Sequence, residues 1–368
     1  METRTRIVTD PADFAQLHDR WDALVRSTPR PCAFLLHGWL SERIRFHEGR
    51  RSLAVITVER GGDLVGALPL GVRRLLGARA AELLSGDSVS HGDVIAADRA
   101  AADAVLRALS EVPADFVVAT GILPDSYLAS APRFRFTERE RAPFVDMPEG
   151  WAASYAARVS SRRRREHARL GRRLAESGAV EFTTLRDADA IVVALREAFE
   201  LHAARFESGL DRSDFRGPAD RASHIARARL LAADGCARFG VLRVDGRLVA
   251  FGYYLVVGDV AWMYRCAFDP ATAATQPGIQ LLLYCFEQAS AEGVRRVEFL
   301  GGEHAYKLVF ATGSDPLLQG IGYATSVAGQ AAVASMRTAV AARVALKRHP
   351  SLRRAYAEGR RALRRLAA

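Results

Sequence analysis

Residues 298–307 read Glu-Phe-Leu-Gly-Gly-Glu-His-Ala-Tyr-Lys, so Glu303, His304, Tyr306 and Lys307 arrive together just after a glycine pair. These types suit the acylation of an amine. The attacking nitrogen must lose a proton, which a carboxylate or an imidazole can take, and the leaving group must gain one, which a phenol can give. On a helix, Glu303, Tyr306 and Lys307 would share a face through their i, i+3, i+4 spacing. Lys307 is one of two lysines in a chain with fifty arginines, which points to a use for a compact ammonium. A solvated helix start after a strand is the plainer alternative.

A second feature lies upstream. Residues 260–268 alternate as a strand, which puts Trp262, Tyr264, Cys266 and Phe268 on one face and Met263, Arg265 and Ala267 on the other. Tyr264 and Arg265 are candidate substrate contacts. The chain then reaches Gln276-Pro277-Gly278-Ile279-Gln280, where proline suits the first turn of a helix. Free amides at Gly278, Ile279 and Gln280 would point toward the strand ends and form an anion site fit for a pyrophosphate.

Positioning these groups requires a sheet. Residues 53–70 read as a strand, a tight polar turn and a second strand. Residues 239–255 repeat the pattern, with Leu64-Val65 matching Leu248-Val249 at an offset of 184. Asp245-Gly246 between apolar runs signals a hairpin, because glycine supplies the positive φ the turn requires. After the first hairpin come a helix over residues 99–110 and a buried strand over 115–119. After the second come a strand over 259–267, a helix over 278–292 and a strand over 297–300. An antiparallel hairpin followed by a βαβ crossover predicts the α/β class, with a mixed central sheet flanked by helices, in two tandem copies. The expected units are residues 1–150, residues 151–325 and a basic helical tail over 326–368. The first copy lacks a polar cluster at its last strand, so it is expected to scaffold the site and wall an acceptor cleft, which His91 and Asp93 would face.

Between the copies, residues 158–177 carry eight arginines against Glu166 and Glu176, with Tyr155, Val159, Leu170 and Leu174 as a narrow apolar stripe on a helix. Helices are also expected over 187–207 and 219–233, with a loop over 211–218 and a helix break at His349-Pro350. Residues 326–368 hold ten Lys/Arg against Glu358 alone, which is +9 of the formal +10. With so little lysine, this reads as the arginine bias of a GC-rich bacterial genome. Basicity is therefore a poor argument for nucleic acid. Cys32, Cys236, Cys266 and Cys285 lack ligand spacing and are expected to be reduced core thiols, with neither a disulfide nor a metal site. No secretory signal or membrane span is visible, so a cytoplasmic location is expected, with the basic segments open to anionic lipid at the inner membrane face.

The order of these motifs resembles the CelD-like, cellulose-biosynthesis branch of the GNAT acetyltransferases, whose relatives include the FemAB-type peptidyltransferases with two GNAT units. The residues carrying the likeness are the hairpin of 240–255, Tyr264, Phe268-Asp269, Gln276-Pro277-Gly278, the segment 298–303 and Tyr306-Lys307. His202 and Arg205 match a His-x-x-Arg at a helix end, and further matches lie at residues 66–70, Trp21 and Trp39 in the first half. The resemblance implies tandem GNAT domains, acetyl-CoA or another acyl-CoA as co-substrate, and no metal. It implies direct attack by an acceptor amine or hydroxyl of a sugar precursor, peptide or specialised metabolite. Glu303 or His304 would be the base and Tyr306 the acid, Lys307 would hold a phosphate or the polarised carbonyl, and Gln276–Gln280 would contact pyrophosphate. The general GNAT pyrophosphate loop, (Arg/Gln)-x-x-Gly-x-(Gly/Ala), is incomplete here, so kinship carries the donor. Two alternatives stay open: an aminoacyl-tRNA-dependent transferase gripping RNA with its arginines, and a non-catalytic accessory protein of polysaccharide synthesis.

Overall fold

A computed structural model describes residues 3–86, 91–206, 213, 215 and 217–348. The first half carries β1 (Thr3–Val8), β2 (Ser52–Leu53), β3 (Val55–Arg60), β4 (Asp63–Leu68), β5 (Leu70–Leu75), β6 (Ala78–Leu83), β7 (Ile95–Ala96), β8 (Phe116–Ile122) and β9 (Phe134–Asp146). The second carries β10 (Val180–Leu185), β11 (Ala237–Val244), β12 (Arg247–Val257), β13 (Val260–Phe268), β14 (Arg296–Glu298) and β15 (Gly313–Gly322). Among the described residues, one sheet has eleven strands, β10-β11-β12-β13-β14-β9-β15-β8-β6-β5-β2, and a second has β1-β3-β4-β7. Only β13–β14 and β6–β8 pair in parallel there. The class is α/β with a mixed sheet flanked by helices.

The repeated hairpin is present twice, as β3–β4 and β11–β12. Asp245 and Gly246 both take positive φ, 50° and 77°, which matches the twist of the strands they join. Helices Arg99–Ala108 and Pro277–Ala291 follow the two hairpins, and Ala188–Phe206 and Pro218–Ala233 lie where periodicity puts them. A further hairpin, β5–β6, turns on Leu76 and Gly77 at φ 52° and 80°. Its alanine-rich sequence gives no strand signal.

The halves are joined through their sheets. β9 of the first half lies between β14 and β15, and β15 of the second lies between β9 and β8. Glycines permit the close approach: a Cβ at Gly313 or Gly320 would collide with the ring of Phe144 or Phe136. One core also spans both halves, with Trp21, Phe34 and Trp39 packed among Phe239, Tyr253 and Trp262.

The arginine-rich segment is two helices rather than one, Trp151–Arg158 and Ser161–Ala175. Ser160 caps the second, accepting from the Arg163 amide, and Arg164 donates to the carbonyls of Ala156 and Val159 at the end of the first. His167, Leu170 and Leu174 are the inward face. The tail helix Val327–Arg348 packs Ala332 and Val333 against Phe116, Val118 and Ile321. The expected break at His349-Pro350 and the basic segment beyond it lie outside the described residues, as does most of the loop expected over 211–218. No helix among the described residues is long and apolar enough to cross a membrane.

Candidate active site

Strands β13 and β14 pair only from Val260–Arg296 to Trp262–Glu298, and beyond that point no pairing holds them together. A bulge falls at this place. Tyr253 faces Arg265 while Tyr254 faces Met263, so Tyr264 is the extra residue and the alternation slips by one. Trp262, Tyr264 and Ala267 consequently share the core that spans the halves, whereas Met263 and Phe268 pack on the opposite face. Cys266 does not share the face of Tyr264, as strict alternation would have it.

Cys266 turns instead to Tyr306, with Sγ 3.9 Å from the phenol oxygen. Three of the four free cysteines are buried, and Cys266 is the half-buried one. Burial, reinforced by Cys266, pushes the Tyr306 phenol well above its ordinary range, so it stays protonated. Helix Ala305–Phe310 begins only after His304, whose extended backbone forms its N-cap. Glu303 therefore does not share a helical face with Tyr306 and Lys307. Its carboxylate lies 3.6 Å from Arg141 and accepts from the Ser314 hydroxyl at 3.0 Å. His304 is exposed and stacks on Tyr306, centroids 6.1 Å apart at 16°. Lys307 is 5% exposed and donates to the carbonyls of Gly301 at 2.8 Å and Leu300 at 3.4 Å. Burial lowers its pKa to about 8. These contacts hold the strand exit, where Leu300 and Gly302 take φ of 62° and 92°.

At the head of helix Pro277–Ala291, Gln276 is left-handed, and its carbonyl accepts from the amides of Ile279 and Gln280 at 3.0 and 3.1 Å. Two of the three amides expected to be free are thus committed to the helix's own first turn. The Gln280 side chain donates to the His167 carbonyl at 2.9 Å, which ties this helix to the arginine-rich one. Gly278 sits against Phe268, where a Cβ would come within 3.1 Å of the ring.

The remaining expected site residues are scattered. His91 lies with Nε2 3.6 Å from a Glu298 carboxylate oxygen and its ring edge-on to Trp262. Asp93 accepts from the amides of Val94, Tyr127 and Leu128, and burial raises its pKa to about 6 despite those bonds. Both line a cavity of about 390 Å³ built from first-half residues. His202 is buried, bonded to Ser213 at 2.8 Å and packed on Phe215. Arg205 is in the last turn of helix Ala188–Phe206, and its side chain lies outside the described residues. Tyr264 and Arg265 line a separate cavity of about 210 Å³ between the halves, together with Trp39, Arg43, His224 and Arg227. Sequence reasoning missed Arg227 and His224. Their i, i+3 spacing on an inward helix face was readable, but arginine is too abundant in this chain to stand out.

Arg296 accounts for another polar cluster, bonding Glu298 at 2.6 Å, Asp315 at 2.9 Å and Asp146 at 3.0 Å. A guanidinium fills the role that a metal would take among these carboxylates, and it stacks over Phe144 at 3.5 Å.

Comparison with known proteins adds a domain match and a likeness of fold. Residues 161–308 match the family model described as an acetyltransferase (GNAT) domain. Among solved structures, FemX is similar over 87% of this chain and 97% of its own, at 14% identity and a TM-score of 0.63. The C-terminal domain of a putative lysylphosphatidylglycerol synthetase from Agrobacterium fabrum covers 89% and 96%, at 14% identity and 0.56. L-PGS from Bacillus licheniformis covers 87% and 95%, at 11% and 0.52. At these identities the likeness is one of fold, and it extends across both halves. A comparison with curated protein sequences finds no match.

Proposed function

Residues 161–308 match the GNAT acetyltransferase domain model, and from that match we propose that the chain transfers an acyl group from an acyl-CoA thioester to an amine acceptor. The supporting observation is the opening between β13 and β14, with Tyr306 beside Cys266 on one side and Lys307 fixing the strand exit on the other. A thioester laid in that gap has its carbonyl exposed to an amine arriving from the junction of the halves. Nitrogen attacks the carbonyl carbon, the carbon–sulfur bond breaks, and the sulfur leaves as thiolate. His304 takes the amine proton, because Glu303 is occupied by Arg141 and Ser314. Tyr306 donates a hydrogen bond to the departing sulfur. A phenol held above its usual pKa is a weak acid toward a thiolate whose own pKa is near ~8.5, so stabilisation outweighs outright proton transfer. The head of helix Pro277–Ala291 would meet the pyrophosphate through its dipole more than through a full set of free amides.

Replacing Tyr306 by Phe should lower turnover by roughly 10- to 100-fold, the worth of one hydrogen bond to a charged group, with acyl-CoA affinity little changed. Turnover equal to wild type would remove Tyr306 from the mechanism. Isothermal titration with acetyl-CoA and longer acyl-CoAs tests the donor. The second reading, an aminoacyl-tRNA donor, draws on the arginine-rich helix, which lies against the head of helix Pro277–Ala291 and exposes Arg162, Arg163, Arg165, Arg172 and Arg173. Steeply salt-dependent tRNA binding without acyl-CoA binding would favour it.

A further inference from the structure

Helix His37–Phe46 of the first half packs on helix Pro218–Ala233 of the second, and the cavity of about 210 Å³ lies at that junction, floored by Tyr264 and Arg265. Its lining holds four arginines, Arg43, Arg51, Arg227 and Arg265, against a single carboxylate, Asp220. Arg51 is answered by Glu82 at 3.2 Å outside the lining. Arg43 and Arg265 donate to the carbonyls of Leu84 and Tyr264.

Arg227 is different. It is 5% exposed, and its described partners are all neutral: the Tyr264 hydroxyl at 3.1 Å, the Ser223 hydroxyl at 3.2 Å and the ring of Trp39 at 4.2 Å. Its Nε has no partner among the described residues, and no described carboxylate pairs with it. A buried cation without a counter-charge costs several kcal/mol unless something supplies the missing anion. His224 beside it is held neutral by burial and then by the charge of Arg227, so the imidazole leaves the guanidinium as the local cation.

We propose that this cavity binds an oxyanion, the carboxylate or phosphate of the acceptor, with Arg227 as its counter-ion. That the anion belongs to an acceptor rests on the acyl-transfer reading above; that the cavity takes an anion does not. The bulge supports the connection, because Tyr264 lines the cavity while the shifted register turns Cys266 to the opposite face of the strand, where it meets Tyr306 at the opening. An acidic amine anchored by Arg227 would thus present its nitrogen toward the gap where the thioester lies. The planar guanidinium grips carboxylate and phosphate oxygens in pairs, which a lysine cannot do.

The test is calorimetric titration of the full chain with inorganic phosphate and with acetate, each with and without saturating coenzyme A, for wild type, Arg227→Gln and Arg227→Lys. Coenzyme A fills any phosphate site at the head of helix Pro277–Ala291, so the signal that persists belongs to the cavity. Wild type should bind at least one of the two anions, Arg227→Gln should lose roughly tenfold or more in affinity, and Arg227→Lys should recover part of it. Binding of phosphate alone assigns a phosphorylated acceptor, and of acetate alone a carboxylic one. Thermal melts without anion guard against misfolding: removing an uncompensated charge should leave Arg227→Gln at least as stable as wild type. Anion binding unaffected by Arg227→Gln, or absent from wild type, overturns the inference. Anion binding in a protein that releases no thiol from any acyl-CoA would instead retain the site and remove the acyl-transfer reading.

Discussion

Lys307 is buried and Asp93 half-buried, and desolvation has moved each toward neutrality, with separate consequences for pH. The Lys307 ammonium, at about 8, is charged when it holds the Leu300 and Gly301 carbonyls, and the charge strengthens those bonds. The rate should therefore fall as pH rises through about 8, in a kcat/KM profile measured from neutral to alkaline pH. Lys307→Gln should be slower and should lose that limb. A limb of unchanged position in the variant would assign it to another group. Asp93 has a folded pKa of about 6, above its ordinary value of 3.8. A raised carboxylate pKa gives stability that is present at low pH and lost as pH rises through the folded value. The difference in unfolding free energy between wild type and Asp93→Asn should thus shift by roughly 2 kcal/mol between pH 4.5 and 7.5, in favour of the variant at the higher pH. Urea titrations at the two pH values check this, and a pH-independent difference would show that the three backbone amides hold Asp93 ionised throughout.

At the level of elements, the hairpin β11–β12 and helix Pro277–Ala291 lie close because Gly240 has no side chain. A Cβ there would overlap Cys285 Sγ and approach Leu281. Gly240→Ala should cost about 1–3 kcal/mol by overpacking, and Cys285→Ala in the same chain should return much of it. Additive losses in a double-mutant cycle would show that the backbone, not the thiol, is what resists. Both elements were legible, since Asp245-Gly246 between apolar runs and the stripe of Leu282 and Phe286 are local signals. The bulge at Tyr264 was not, because an extra residue leaves no trace in a strand's own sequence, and it reassigned Cys266. β9 was equally hidden. Its residues 137–141 are polar or charged with no apolar face, and its neighbours come from far along the chain. The candidate cluster around Tyr306 stood out by residue type, but the start of its helix at Ala305 depended on the glycine-rich exit and Lys307, so Glu303 fell outside.

For the whole molecule, the two sheet-building halves are separable in sequence and inseparable in the fold. β9 finds β14 on one side and β15 on the other, both from the second half, and β15 in turn needs β8. The core around Trp39 and Trp262 likewise draws on both. A fragment ending at residue 150 would leave the thirteen residues of Phe134–Asp146 with no neighbouring strand, and unpaired strand edges aggregate. The cavity between helices His37–Phe46 and Pro218–Ala233 would vanish with either partner. The full chain should therefore unfold in urea as one transition, seen alike by tryptophan fluorescence and circular dichroism. Fragments 1–150 and 151–368 should each fail to pack when expressed alone, and co-expression should restore a complex that binds acyl-CoA. The second fragment contains the whole region matched to the GNAT family, residues 161–308. If it folds and binds acyl-CoA by itself, the strand exchange is ornament on an autonomous domain. If it does not, the first half is part of the catalytic fold, because it supplies the strand against which β14 closes.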